Sequence, residues 1–400
     1  MRRTVAALAL FATAFLPAGA TEAPAHPHSV LMAPYAHFAF DLLREVRPTH
    51  PNENVFLSPA SVAVALAMTA NGAAGKTRAA ILQTLHASNV PFADFNAANR
   101  ALVERINDTK SVQLSMANAL WIQEGLQVKP AFTRTVNTEY RAQVANLDFR
   151  SLAAVHAINT WAKEHTNGRI DKVVETIDPS TVVMLANAIA FKGKWTLQFS
   201  PKETREHPFT TAAGSQIQVP MMSHNAKYAY AENDSEQAIR LPYSDGDFSM
   251  YVVLPRTSTS LDTFLRDMNS DAFTKLVGTL TEREGTIELP RFQIEFNTVL
   301  NKPLEKLGMS IAFGDGADFS NVHQPPPPLA IDQVRHSSFL KVDEEGTEAA
   351  AVTTVGIKAL SVIVGPPPFH MVVDHPFFLA IQNDRTGDLL FVGTIANPTH

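Results

Sequence analysis

Residues 342–368 read VDEEGTEAAAVTTVGIKALSVIVGPPP, and no other stretch constrains the fold as tightly. Three acids, Asp343, Glu344 and Glu345, precede Gly346; an alanine triplet and a β-branched apolar run follow, ending at Pro366, Pro367 and Pro368. The segment is too apolar for a surface loop. As a strand it has no hairpin turn and no evident partner. Read with a period of two, Thr347, Ala349, Ala351, Thr353, Val355 and Ile357 share one face, small or apolar throughout, while Glu348 and Lys358 fall on the other. Such a strand lies on a sheet with one side toward a core. Gly346 supplies backbone freedom where the segment would have to fold over. The pattern fits a strand held in reserve that slips between strands already paired. It fits an ordinary central strand flanked by loops as well, which the pattern by itself favours, and periodicity does not exclude either.

The rest of the chain can build the core such a strand needs. It has 400 residues, 45% of them hydrophobic and 18% charged, with no long run of like charge. That excludes a disordered chain and leaves no basic stripe for nucleic acid. There is no cysteine, so neither a disulfide, a thiol nucleophile nor a cysteine-held metal is available. The first twenty residues, MRRTVAALALFATAFLPAGA, have the layout of a signal peptide cleaved after Ala20. Cleavage would remove two arginines and no acid, taking the net charge from -6 to -8. The apolar run from Val5 to Leu16 is too short to span a bilayer, so a secreted or periplasmic protein with no membrane partner is expected.

Helices dominate the first half and strands the second, which gives an α+β class. Asn54 to Leu57 reads as a short strand. Ser58-Pro59 then caps a helix running through Val62 and Met68 to Gly72, and a second helix is expected over Thr77–Leu85. Ser151 opens another, with Val155, Ile158, Trp161 and Ala162 on one face and Asn167-Gly168 at its end. Thr181 to Phe191 is apolar on both faces, like a central strand. Further strands are expected over Met250–Leu254 and Thr286–Leu289, with short helices between them around Leu261 and Phe273. Residues 377–395, FFLAIQNDRTGDLLFVGTI, read as a hairpin.

Signs of catalysis are missing. There is no GxSxG elbow and no HExxH pair. His26 and His28 form the closest histidine pair, with no further ligand nearby. Gly72 to Thr77 ends like a phosphate loop, but its glycines are too close together and a turn between helices is expected. No enzyme activity, metal or cofactor is expected.

EEGTEAAAVT closely resembles the hinge of the serpins, a family of protease inhibitors with a mobile reactive loop. NVFLSPASVAVALAMTANGAAGKT, NALWIQ, INTWAKEHTNGRI, LANAIAFKGKW, LPYSDGDFSMYVVLP, LPRFQIE, LGMSIAF with ADFSNV, and DHPFF with LLFVGTIANP are similar to serpin segments, in serpin order. The resemblance implies a serpin fold of three β-sheets and about nine helices. Residues 34–400 would form one domain after a signal peptide (1–20) and an extension (21–33), with the reactive loop at about 344–368. It implies a suicide substrate: a serine protease cuts the loop, which then enters the central sheet as an extra strand and traps the covalent acyl-enzyme. Hinge residues would be Glu344, Glu345, Gly346, Thr347, Glu348, Ala349, Ala350 and Ala351. The family's spacing puts the scissile bond between Leu360 and Ser361, with Lys358 and Val362 as alternative cut sites. Ser58, Ser61, Asn187 and His336 match the shutter, where the sheet parts, and Trp195 matches the breach at the loop's entry. Ser337 departs from the lysine-like residue usual after the histidine. Targets with an apolar pocket, chymotrypsin-, elastase- or subtilisin-like, follow from Leu360. A monomer is expected, with loop-sheet polymers open, and the alternative is a non-inhibitory serpin acting as a binding protein or chaperone.

Overall fold

The computed structural model describes residues 29–109, 112–244, 246–346 and 367–399. Helix α1 (Ser29–Val46) leads through a 3-10 turn, Arg47–Thr49, to strand β1 (Val55–Leu57). It begins inside the stretch read as an extension, and Leu31 is buried in the main core. Helix α2 (Pro59–Gly72) starts where the sequence places it: Ser58 is the N-cap, its Oγ accepts from the Ser61 N–H, and Pro59 occupies the first turn, where its missing donor costs nothing. Apolar residues surround α2, and apart from Asn71 it is buried throughout. Next come α3 (Gly75–Thr84), α4 (Phe92–Asp108), β2 (Gln113–Gln123), α5 (Pro130–Tyr140), β3 (Gln143–Leu147) and α6 (Leu152–His165).

Strands then take over: β4 (Val183–Lys192), β5 (Arg205–Thr210), β6 (Gln216–Glu232), β7 (Glu236–Pro242) and β8 (Phe248–Pro255). Helices α7 (Leu261–Asp267) and α8 (Ser270–Thr279) precede β9 (Thr281–Pro290), β10 (Phe292–Val299) and the short α9 (Asn301–Leu304). The chain closes with β11 (Gln333–Val342), β12 (Phe369–Val372), β13 (Phe377–Asn383) and β14 (Leu389–Ile395). The described residues thus hold nine α-helices and the expected mixture of elements.

Hydrogen bonding groups the described strands into two sheets. One has five strands in the order β10-β11-β4-β2-β3; the other has nine, β1-β14-β13-β8-β7-β6-β9-β12, with β5 also on β6. The second is larger than a three-sheet reading anticipates because β6 belongs to two neighbourhoods. Its start pairs with β5 over Gln216–Met221, and its end with β7 over Ala229–Glu232, so the ladder runs on without a break. Helix α2 packs against both β14 and β4, and so lies between the sheets. The outer face of the five-stranded sheet is covered by α6 and the chain after it: Ile158, Trp161, Ile170 and Val174 pack on Trp121, Met184, Ala186, Ala188 and Phe339. That cover explains why β4 is apolar on both faces.

Candidate functional site

The middle of the five-stranded sheet contains an unusual joint. Strands β4 and β11 lie side by side and parallel, from Met184 opposite Gln333 to Phe191 opposite Leu340, while β2 on one side and β10 on the other are antiparallel to them. Two clusters of side chains sit at this joint, one halfway along and one at its end.

The halfway cluster is a polar row inside an otherwise apolar core. Asn118 of β2 stands opposite Asn187 of β4, which stands opposite His336 of β11. Across the joint, His336 Nδ1 donates to Asn187 Oδ1 at 2.6 Å; on its other side His336 Nε2 accepts the Ser58 backbone N–H at 3.1 Å. The two partners fix the neutral Nδ1–H tautomer. Asn187 Nδ2 donates both to Ser61 Oγ and to Asn118 Oδ1, the latter at 2.7 Å. Ser58 Oγ donates to the Leu390 carbonyl at 2.8 Å, and Ser338 Oγ to that of Phe56 at 2.5 Å. The row therefore ties α2, β14 and the strand before α2 to both sides of the joint. His336 is fully buried, and desolvation lowers its pKa to about 3. Charging it would leave a buried cation and break its bond to Ser58.

Sequence reasoning named Ser58, Ser61, Asn187 and His336, and the structure brings all four together. It missed Asn118 and Ser338. Asn118 had a signal of its own, an amide within the apolar run of β2. Ser337 points to the opposite face and is buried, with no partner for its Oγ. There Arg335, two residues earlier, donates to the Val173 carbonyl in the chain that covers the sheet.

The second cluster lies where β11 ends. Beyond Val342 the chain reverses, with Asp343 and Gly346 bonded to each other in both directions at 3.2 Å. Gly346 is antiparallel to Lys194, just past the end of β4, so the returning chain is held over the joint. Its φ of +118° is one that L side chains rarely adopt, and a Cβ there would lie 2.4 Å from the Gly193 carbonyl oxygen. The Trp195 backbone N–H donates to the Glu345 carbonyl at 3.0 Å and the Trp195 indole to the Asp343 carbonyl at 3.0 Å. The Phe199 N–H donates to the Glu344 carbonyl at 2.8 Å. The Glu344 side chain, itself buried, accepts from Thr204 Oγ1 at 2.7 Å. Trp195 stacks on Tyr243 at 4.6 Å, a buried ring whose hydroxyl has no partner and which the sequence reading did not single out. Thus Glu344, Glu345 and Gly346 are fixed to Trp195 and its neighbours. Thr347, Glu348, Ala349, Ala350, Ala351, Leu360 and Ser361 lie outside the described residues. So do the first twenty residues and the pair His26 and His28.

The far end of the segment is also anchored. Arg283 Nε donates to the Pro367 carbonyl at 2.9 Å, and Phe369 stacks on Tyr230 at 4.0 Å as β12 joins the edge of the nine-stranded sheet. Among the described residues no group of acids and histidines is arranged to hold a metal, and no helix is long and apolar enough to cross a membrane.

Comparisons with known proteins agree with this architecture. Residues 33–398 match the family model for serpins, described as serine protease inhibitors. Iripin-2 of Ixodes ricinus is 34% identical over 366 residues, 90% of this chain and 91% of that protein. The leukocyte elastase inhibitor of Sus scrofa is 32% identical over 92% of this chain and 99% of its own. Among solved structures, the native thermophilic serpin tengpin superposes with a TM-score of 0.85 at 30% identity, covering 92% of this chain and 94% of tengpin. Human thyroxine-binding globulin complexed with thyroxine gives 0.86 at 28% identity, covering 94% of this chain and all of that one. A family model spanning nearly the whole described chain, together with relatives of this identity and coverage, makes the protein a member of the serpin family.

Proposed function

We propose that this serpin is an exported inhibitor of serine endopeptidases, trapping a covalent acyl-enzyme when its cut loop enters the five-stranded sheet. The observation that carries the reading is the parallel joint between β4 and β11 with the chain turned back over it at Gly346. A segment continuing from that turn along the joint runs antiparallel to both neighbours. It would exchange one parallel ladder for two antiparallel ones, the slightly more stable pairing per residue. The small or apolar face from Thr347 to Ile357 suits a strand entering between packed layers. Glu344 to Ala351 act as the hinge, Trp195 guards the entry as the breach, and Ser58, Ser61, Asn187 and His336 form the shutter.

Cleavage is assigned to the Leu360–Ser361 bond, which favours chymotrypsin-, elastase- or subtilisin-like enzymes with an apolar pocket. One relative is named as an inhibitor of leukocyte elastase. Export rests on the first twenty residues, with residues 34–400 as one functional domain. The chain itself catalyses nothing in this reading: the protease supplies the nucleophile, and the serpin supplies a substrate that moves. A second reading, a non-inhibitory carrier, draws on the neighbour solved with thyroxine bound. The hinge composition speaks against it.

Incubation with chymotrypsin and elastase separates the two. An inhibitor yields SDS-stable complexes at close to equimolar stoichiometry, and mass spectrometry of the released fragment reports the scissile bond. Thr347→Arg, which places a charge on the inward face, should turn the protein into a substrate that is cut and released. Cleavage of the unaltered chain without complex would refute inhibition; complexes formed as well by Thr347→Arg would refute insertion.

A further inference from the structure

The end of α1, the 3-10 turn after it and α7 enclose a cavity of about 460 Å³, within the range of small-molecule sites. None of its lining residues belongs to the polar row or to the turn at Gly346. Its walls are of two kinds. Phe40, Leu265 and Met268 present apolar surface, while Arg44, Arg47 and Arg266 bring three guanidinium groups against two carboxylates, Asp262 in the wall and Asp41 beside Arg44. This local excess of positive charge stands on a chain whose net charge is -6.

Arg47 carries the argument. Its side chain is only 6% exposed, although it bears a full charge. Its terminal nitrogens donate to the carbonyls of His50 and Pro51, and one lies 3.4 Å from an Asp262 oxygen. That acid is 68% exposed and is shared with water. The Arg47 Nε–H is buried and has no acceptor. A buried cation with one water-facing counter-charge is costly, and an anion entering the cavity would supply a second counter-charge, although the Nε–H itself lies too deep to be reached from the cavity. Burial also pulls the Arg47 pKa down, opposed by Asp262. Arg44 is paired with Asp41 at 2.9 Å, and Arg266 donates to Thr263 Oγ1 at 2.8 Å; both are exposed residues.

We infer that this cavity binds an amphipathic organic anion of the fatty-acid type, its carboxylate against Arg47 between Arg44 and Arg266 and its apolar body on Phe40, Leu265 and Met268. Neither charge nor greasiness alone would suffice, because the cavity offers both within one enclosure. The test uses the full chain and decanoate below its micelle-forming concentration, followed by titration calorimetry and thermal melting. Decanol and inorganic phosphate serve as comparisons. Decanoate should saturate a single site and raise the melting temperature. Decanol and phosphate should each bind at least about tenfold more weakly, since each lacks one half of the recognition. Leu265→Trp, which fills the cavity, should abolish saturable binding. Arg44→Glu with Arg266→Glu, both exposed, should weaken binding about tenfold or more. These variants keep the test valid if Arg47→Met fails to fold. Absence of saturable decanoate binding, equal binding of decanol, or undiminished binding by Leu265→Trp would overturn the proposal.

Discussion

If the loop is a strand held outside the sheet, cutting it should make the protein more stable. Consider a nick near Leu360 made by a protease that is not trapped. A strand of a dozen residues lying between β4 and β11 engages backbone donors and acceptors on both sides, at the cost of the single ladder now joining Met184–Phe191 to Gln333–Leu340. The net gain is roughly sixteen hydrogen bonds at about 1 kcal/mol each. Burial of Val355, Ile357 and the threonine methyls adds about 6 kcal/mol. Ordering a dozen residues at about 1 kcal/mol apiece offsets about half of this. The balance is on the order of 10 kcal/mol in favour of insertion. A domain of this size loses roughly 0.8 kcal/mol per degree near its transition, so the nicked protein should melt about 10–15 °C higher than the intact one. The assay is a pair of melts by circular dichroism or calorimetry, on intact protein and on purified two-chain product at equal concentration. A nicked form that melts no higher than the intact chain would refute the reasoning, however good the hinge looks.

Two other perturbations follow from the same geometry. His336 stays neutral in the fold down to about pH 3, whereas an unfolded histidine takes up a proton below about 6.5. Its contribution is therefore intact above that value and is lost as pH falls, by about 2 kcal/mol at pH 5. Urea unfolding at pH 7.5 and pH 5 should give a smaller difference for His336→Gln than for the native chain, and equal differences would remove the histidine from the account. Gly346→Ala puts a Cβ against the Gly193 carbonyl and the Trp195 nitrogen, both backbone atoms with little room to yield. It should cost on the order of 1–3 kcal/mol in the intact protein, measured by the same denaturation, and an unchanged midpoint would mean the turn is not held as described.

What the sequence made legible was local or periodic. Ser58-Pro59 announced α2 because a cap and a proline at the first turn are both written within two residues. The strand over Thr181–Phe191 stood out because both faces are covered, and the hairpin over residues 377–395 because a polar turn separates two apolar runs. Strand β6 was not visible: one of its faces meets solvent for much of its length, and Pro220 sits within it. Strands β10 and β11 also escaped. Strand β10 alternates plainly, with Phe292, Ile294 and Phe296 against Gln293, Glu295 and Asn297, and was passed over all the same, whereas His336, Ser337 and Ser338 make β11 read as polar. The start of α1 was obscured by Pro34, which lies inside the helix in its second turn. The polar row was legible only through family resemblance, because its members are scattered from residue 58 to residue 338 and nothing local joins them.

The two clusters restrain the joint in different ways, and that difference bears on how a loop could enter. At the end of the joint the restraint is made by chain reversal: Gly346 hangs from Lys194, and Glu344 and Glu345 hang from Phe199 and Trp195. Under the proposed insertion these are bonds of the incoming segment itself, so entry would begin there by exchanging partners one residue at a time. Halfway along, the restraint belongs to the sheet: the bond between His336 and Asn187 crosses the joint and must break before a strand can pass. Because Asn187 also holds Ser61 and Asn118, and His336 also holds the Ser58 N–H, each side of the opened joint keeps partners on α2 or β2. Besides the backbone ladder, only this single side-chain bond is broken by parting. A polar row there costs less to open than an interdigitated apolar seam would, since released amide and imidazole groups can rebond to an arriving backbone whereas separated methyl groups cannot. In the proposed mechanism the row thus closes the sheet in the intact molecule while leaving the joint, rather than any other pair of strands, as the place where it would part.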